Sequence, residues 1–149
     1  MIQIAAEKNF ENRLKKWLEM KGVYPLGTSK QNMTVPPCGY YEKRWGGGVY
    51  TKKGLPDLHI VVNGINIDVE VKAPNYKPTM LQLHNIDQIT FSNCIGFVLY
   101  ENQKDAKLCS AWIGRKYPEY KAVHVKDFDS FKNLIHELKG DEYELEQVD

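Results

Sequence analysis

Cysteine is scarce in this 149-residue chain: Cys38, Cys94 and Cys109 form an odd set with no C-x-x-C pair. That count and spacing argue against a disulfide framework and against a thiolate zinc site, so reduced thiols are expected, with Cys94 and Cys109 in strands. His59, His84, His124 and His136 lack metal-ligand spacing as well. No uninterrupted apolar run approaches the roughly 20 residues that span a bilayer. Glu7 and Lys8 fall where a signal peptide would be apolar. A cytoplasmic protein with no membrane partner and no organic cofactor is expected. Internal repeats and low-complexity segments are also missing.

Net charge is nearly absent, at +1, but the sum hides an asymmetry. From Lys30 to Pro56 five basic residues (Lys30, Lys43, Arg44, Lys52, Lys53) face one acid, Glu42. From Glu137 to Asp149 six acids face only Lys139. Attraction for a polyanion depends on the local field, so the overall charge does not exclude nucleic acid. The basic segment also carries Tyr40, Tyr41, Trp45 and Tyr50, which could stack on unpaired bases. The alternative is a long loop around Gly46-Gly47-Gly48 packed by its own aromatics; a substrate-facing loop is preferred.

With 42% hydrophobic residues, the chain is long enough to build one compact core. A single domain over 1–140 is expected, followed by an acidic, weakly ordered tail over 141–149.

The most informative stretch is Gly54-Leu55-Pro56-Asp57, followed after a short interval by Glu70-Val71-Lys72-Ala73-Pro74. Between them two β-branched runs flank Asn63-Gly64, a strong hairpin signal because a type I′ turn needs positive φ at both central positions. With Asn63 and Gly64 as the loop, Val62 pairs with Ile65, and counting outward sets Asp57 opposite Glu70. Cross-strand Cβ atoms lie about 5 Å apart, where like charges repel. Lys72 projects from the same face about 6.6 Å further along. A bridging cation would relieve the repulsion, and oxygen ligands suit a hard divalent ion such as Mg²⁺.

On alternation alone, a solvated strand face with Lys72 as surface counter-charge explains Asn66, Asp68, Glu70 and Lys72 equally well. Pro-Asp, the register pairing Asp with Glu, and Glu-x-Lys together favour the functional reading.

These residues resemble the PD-(D/E)XK nuclease superfamily. Lys72-Ala73-Pro74, Lys77-Pro78 and Leu81-Gln82 are similar, more narrowly, to small phage-type VRR-NUC proteins, with Holliday-junction resolvases more distant. The resemblance covers about Ala6 to Tyr100. It implies a restriction-endonuclease-like α/β fold, a central mixed sheet with flanking helices in the order αβββαβ, here with C-terminal strands and a helix added. It implies a Mg²⁺- or Mn²⁺-dependent endonuclease acting on DNA, in structured or branched form, and a possible homodimer. Asp57, Glu70 and the Val71 carbonyl would ligate metal, and Lys72 would orient the attacking water. Glu11, eleven residues before Gly22, would be the acid of the first helix, and Gln82 would match a glutamine opening the next helix. Candidate nucleic-acid contacts are Lys30, Lys43, Arg44, Trp45, Lys52, Lys53 and Lys77.

Two assignments stay open on the residues themselves. Phe10, Leu14, Trp17 and Leu18 recur at helical spacing up to a stop at Gly22, and on that wheel Glu7 falls inside the apolar arc and Glu11 at its edge. Thr79-Met80-Leu81-Gln82 fits a capping box, while Gln82 shares a face with Ile86 and Ile89 that points to the sheet. His59, opposite Asp68, is expected to hydrogen-bond that carboxylate, and His84 has no stronger claim. Cys94 to Tyr100 reads as a buried strand, Leu108 to Ile113 and Ala122 to Val125 as accessory strands, and Phe131, Leu134, Ile135 and Leu138 as a last amphipathic helix ending near Gly140. Two other functions fit the composition: an inactive nuclease-fold module that binds nucleic acid, and a protein-interaction or inhibitor protein using the acidic tail.

Overall fold

A computed structural model describes residues 2–44, 53–92, 94–102 and 124–140. Helix α1 (Ile2–Met20) leads into β1 (Val23–Pro25), a short 3-10 turn (Lys30–Asn32) and β2 (Gly39–Lys43). Strands β3 (Leu58–Val62) and β4 (Ile65–Val71), helix α2 (Met80–Phe91), β5 (Ile95–Tyr100), β6 (His124–Asp127) and α3 (Phe128–Lys139) follow. The strands form one six-stranded sheet in sequence order, β1 to β6. Only β3 runs against the rest, because β1/β2, β4/β5 and β5/β6 pair parallel while β2/β3 and β3/β4 pair antiparallel. The chain is therefore an α/β protein with a mixed sheet.

The β3–β4 hairpin has the predicted register. Val62 faces Ile65 and Leu58 faces Val69, and Asn63 and Gly64 take φ of 48° and 83°. That alternation sends Leu58, Ile60, Val62, Ile67, Val69 and Val71 to one face, where they meet Phe10, Leu14 and Leu18 of α1 and Phe131 and Ile135 of α3. Leu14 and Leu18 are fully buried, each contributing about 2 kcal/mol by transfer from water. Phe97 joins the two helices to the sheet, its ring 5.6 Å from that of Phe131 in edge-on contact.

The opposite face is covered by α2, whose Leu83 and Ile86 pack on Val98 and Tyr100. Asp68, Glu70 and Lys72 belong to this side, and they are 6%, 2% and 7% exposed. The polar face of β4 is thus buried from Asp68 to Lys72, with only Asn66 beside the turn exposed, which overturns the solvated-face alternative for Glu70 and Lys72.

The segment read as a long basic loop contains strand β2. Tyr41 is in the core, its hydroxyl donating to Glu19 Oε2 at 2.8 Å, and burial and that carboxylate push its pKa up. It is no platform for a base. Tyr40 makes an edge contact with His59, and Trp45, Tyr50 and Lys52 lie outside the described residues. Cys94 sits one residue ahead of β5 rather than within it. Cys38 and Cys94 are both half-buried, and Cys38 Sγ donates to the Lys21 carbonyl at 3.4 Å. Cys109, Leu108 to Ile113 and the acidic tail lie outside the described residues, and the strand expected at Ala122 to Val125 runs instead over His124–Asp127. Helix α3 is capped by Asp127, which accepts from Ser130 N at 2.8 Å, and stops at Gly140 with φ of 81°. Among the described residues no helix is long and apolar enough to cross a membrane.

Gly22 ends α1 as its position predicts, at φ of 89°. A Cβ there would lie 2.3 Å from the carbonyl oxygen of Pro36, a backbone atom that cannot swing aside. Gly22→Ala therefore combines left-handed strain with a clash, and should destabilise the fold by about 3 kcal/mol in a denaturant titration. A loss under about 1 kcal/mol would show that the approach of α1 to Pro36 is slack.

Candidate active site

Because β3 alone is reversed, the carboxyl ends of β1, β2, β4, β5 and β6 share one edge of the sheet, the edge where α/β proteins gather functional groups. Asp57 stands there at the start of β3, and Glu70 and Lys72 stand at the end of β4.

Asp57 is fixed from two sides. Its carbonyl accepts from Arg44 N at 2.8 Å, which closes the base of the β2–β3 connection. Its Oδ2 accepts from Val71 N at 2.8 Å, tying the carboxylate to β4. Val71 thus contributes its amide to the site, beside the carbonyl that the resemblance offers as a ligand. Upstream, Asn85 of α2 donates to the carbonyl of Gly54 at 2.8 Å and holds the turn that delivers Pro56-Asp57.

Glu70 is almost wholly enclosed, and burial raises its pKa from 4.5 to about 9. The charge of Asp57 and a hydrogen bond shared with it push the same way, Glu7 adds to the rise, and Lys72 opposes it. Glu70 Oε2 accepts from Gln82 Nε2 at 3.2 Å and lies 3.8 Å from Lys72 Nζ. Glu70 Oε1 is buried and receives no hydrogen bond within the described protein. A buried acid with raised proton affinity and an orphaned oxygen, beside a second carboxylate, is a place where a cation can replace a proton.

Gln82 performs both tasks weighed from the sequence. Its Oε1 accepts from Thr79 N at 2.8 Å and its backbone N–H donates to Thr79 Oγ1 at 3.1 Å, completing the capping box. With the side-chain oxygen engaged there, the NH₂ group is left facing Glu70. The cap thereby aims the amide at the site.

The two acids of α1 divide. Glu7 Oε1 accepts from Ala73 N at 3.4 Å, and its charge is felt by Glu70. Glu11 Oε1 is 2.6 Å from Lys43 Nζ and its Oε2 3.1 Å from Lys15 Nζ. Lys43 Nζ is in turn 3.8 Å from Asp57 Oδ1. A groove of about 370 Å³ lies here, lined by Glu7, Lys8, Glu11, Asn12, Lys15, Lys43 and Asp57. Lys15 escaped the sequence reading, although its position four residues after Glu11 is a visible helix pairing.

The candidate nucleic-acid contacts separate as well. Lys43 is engaged with Glu11, and Arg44 pairs with Asp68 Oδ1 at 2.8 Å. His59 Nδ1 meets the same oxygen at 3.1 Å, as its register predicts. Lys30, Lys53 and Lys77 are exposed, and Trp45 and Lys52 lie outside the described residues.

Among the described residues no three His, Cys, Asp or Glu side chains converge as a ready-made metal cage. A hard divalent ion that keeps its waters needs only one or two carboxylates, and Asp57 with Glu70 meets that smaller demand. Comparison with known families, with characterised proteins and with solved structures returns no match.

Proposed function

We propose that the chain is a metal-dependent nuclease of the PD-(D/E)XK type, closest in its motifs to VRR-NUC proteins, and that it hydrolyses phosphodiester bonds in DNA. The observation that carries this reading is the coupling of half-buried Asp57 to buried Glu70, with Lys72 on the same side of the sheet. In support, the order α1, β1, β2, β3, β4, α2, β5 contains the αβββαβ succession expected of such a nuclease fold, with one short strand more, β1, between α1 and β2.

Asp57 and Glu70 would hold Mg²⁺ or Mn²⁺, which when bound supplies charge neutralisation at a phosphate and acidifies a water. The rest falls to the chain itself. Lys72, 7% exposed at the mouth of β4, is placed to orient the attacking water and to offset negative charge growing on the phosphate oxygens. Water adds to phosphorus, the bond to the leaving sugar oxygen breaks, and a proton passes to that oxygen. Gln82 holds Glu70 in position through its amide, and the Val71 amide does the same for Asp57. The groove beside Asp57 gives the polymer backbone a way in, with Lys8 and Lys15 on its wall.

The test is cleavage of linear, single-stranded, flapped and four-way DNA with Mg²⁺ or Mn²⁺. At least one substrate should be cut, cutting should stop in chelator, and Asp57→Ala should lower the rate by about a thousandfold or more. Cleavage that persists in chelator or in Asp57→Ala would overturn the assignment.

A further inference from the structure

We propose that Lys43 is a built-in cation filling the position between Glu11 and Asp57, so that the site accepts a single divalent ion, at Asp57 and Glu70. The inference rests on the nuclease reading and adds its metal stoichiometry.

Glu11 is only 8% exposed, and each of its oxygens already faces an ammonium, Lys43 at 2.6 Å and Lys15 at 3.1 Å. Asp57 is divided in the same way. Its Oδ2 is taken by the Val71 amide, and its Oδ1 looks toward Lys43 at 3.8 Å. Lys43 therefore stands between the two acids that would have to share any ion bound on the α1 side.

Its placement is built into the fold. Lys43 ends β2 opposite Leu58, so the sheet fixes its backbone one residue from the Asp57 level. The side chain, 20% exposed, then crosses toward α1. A divalent ion and an ammonium placed within about 4 Å of one another repel strongly, and the lysine cannot be diluted away as a free ion can. On the Glu70 side a lysine, Lys72, also stands 3.8 Å from Oε2, but it engages that oxygen alone, and Oε1 is buried with no hydrogen-bond partner among the described residues. One oxygen-lined position is thus open to an ion, and the other is held by the protein's own charge. Glu11 acts as a positioning residue for Lys43 rather than as a metal ligand.

The experiment is calorimetric titration of the full chain with Mn²⁺ in the absence of DNA, on wild type, Lys43→Met and Lys43→Gln. Wild type should bind one Mn²⁺ per chain. Both neutral variants, which leave Glu11 and Asp57 without their shared counter-charge, should bind Mn²⁺ at least about fivefold more tightly. Two variants of different polarity guard against a packing fault in either. Unchanged or weaker binding in both, or two Mn²⁺ per wild-type chain, would overturn the role of Lys43 and leave the nuclease reading standing. Wild-type binding that Asp57→Ala does not weaken would instead remove the nuclease reading itself.

Discussion

Replacing Lys72 with methionine should lower single-turnover DNA cleavage by about a thousandfold or more while the protein stays folded and still binds Mn²⁺. The fold should survive because methionine fills a similar volume and Glu70, left without the ammonium, can hold a proton instead of an unpaired buried charge. The rate should not survive. Lys72 Nζ is 3.8 Å from Glu70 Oε2, so it borders the place where a phosphate would meet the carboxylate pair. An ammonium fixed in a low-dielectric site offsets the charge that appears as water adds to phosphorus, and it does so without reorganising. A thousandfold corresponds to about 4 kcal/mol of barrier, within what one pre-organised donor supplies. If Lys72 were only a counter-charge for Glu70, Lys72→Met would weaken Mn²⁺ binding or stability and leave the rate at saturating metal within about tenfold. That pattern would sink the catalytic assignment, and single-turnover rates measured beside a Mn²⁺ titration separate the two.

The part of the site that carries these roles was legible in the sequence for a local reason. Asn63-Gly64 fixes a two-residue turn, a two-residue turn fixes register, and register fixes which side chains oppose one another; no distant part of the chain enters that inference. The capping box at Thr79–Gln82 was legible for the same reason. The rest of the site depends on contacts remote in sequence. Strand β2 hides between two glycine- and proline-bearing stretches, and Tyr41 becomes a core residue only because β3 lies beside it. The burial of Asp68, Glu70 and Lys72 could not be read from alternation, since period two gives a face but not whether water or a helix covers it. Helix α2 covers it here. The wheel for α1 placed Glu7 and Glu11 on the correct side, yet which of them meets Glu70 and which meets Lys43 depends on how α1 crosses the sheet.

Glu70→Gln should stabilise the metal-free protein at pH 8 even as it removes the site's function. A carboxyl whose pKa rises from 4.5 to about 9 on folding keeps a proton in the folded state that the unfolded chain releases. The folded protein therefore binds more protons between those values. Its stability is greatest below pH 4.5 with respect to this group and falls as pH rises toward 9. The limiting slope is about 1.4 kcal/mol per pH unit. Because Glu70 titrates in a field set by the neighbouring Asp57 charge, roughly half of that slope is expected, or about 2 kcal/mol between pH 5.5 and 8. Glutamine is neutral throughout, can donate to Asp57 as a protonated Glu70 would, and can still accept from Gln82. In chelator, wild type should lose about 5 °C of melting temperature over that pH interval relative to Glu70→Gln. Adding Mn²⁺ at pH 8 should return the loss to wild type by replacing the missing proton, and should do little for the variant. Parallel melting curves for the two proteins across pH, with and without Mn²⁺, would show that Glu70 is an ordinary buried acid and that the orphaned oxygen has no cation to receive.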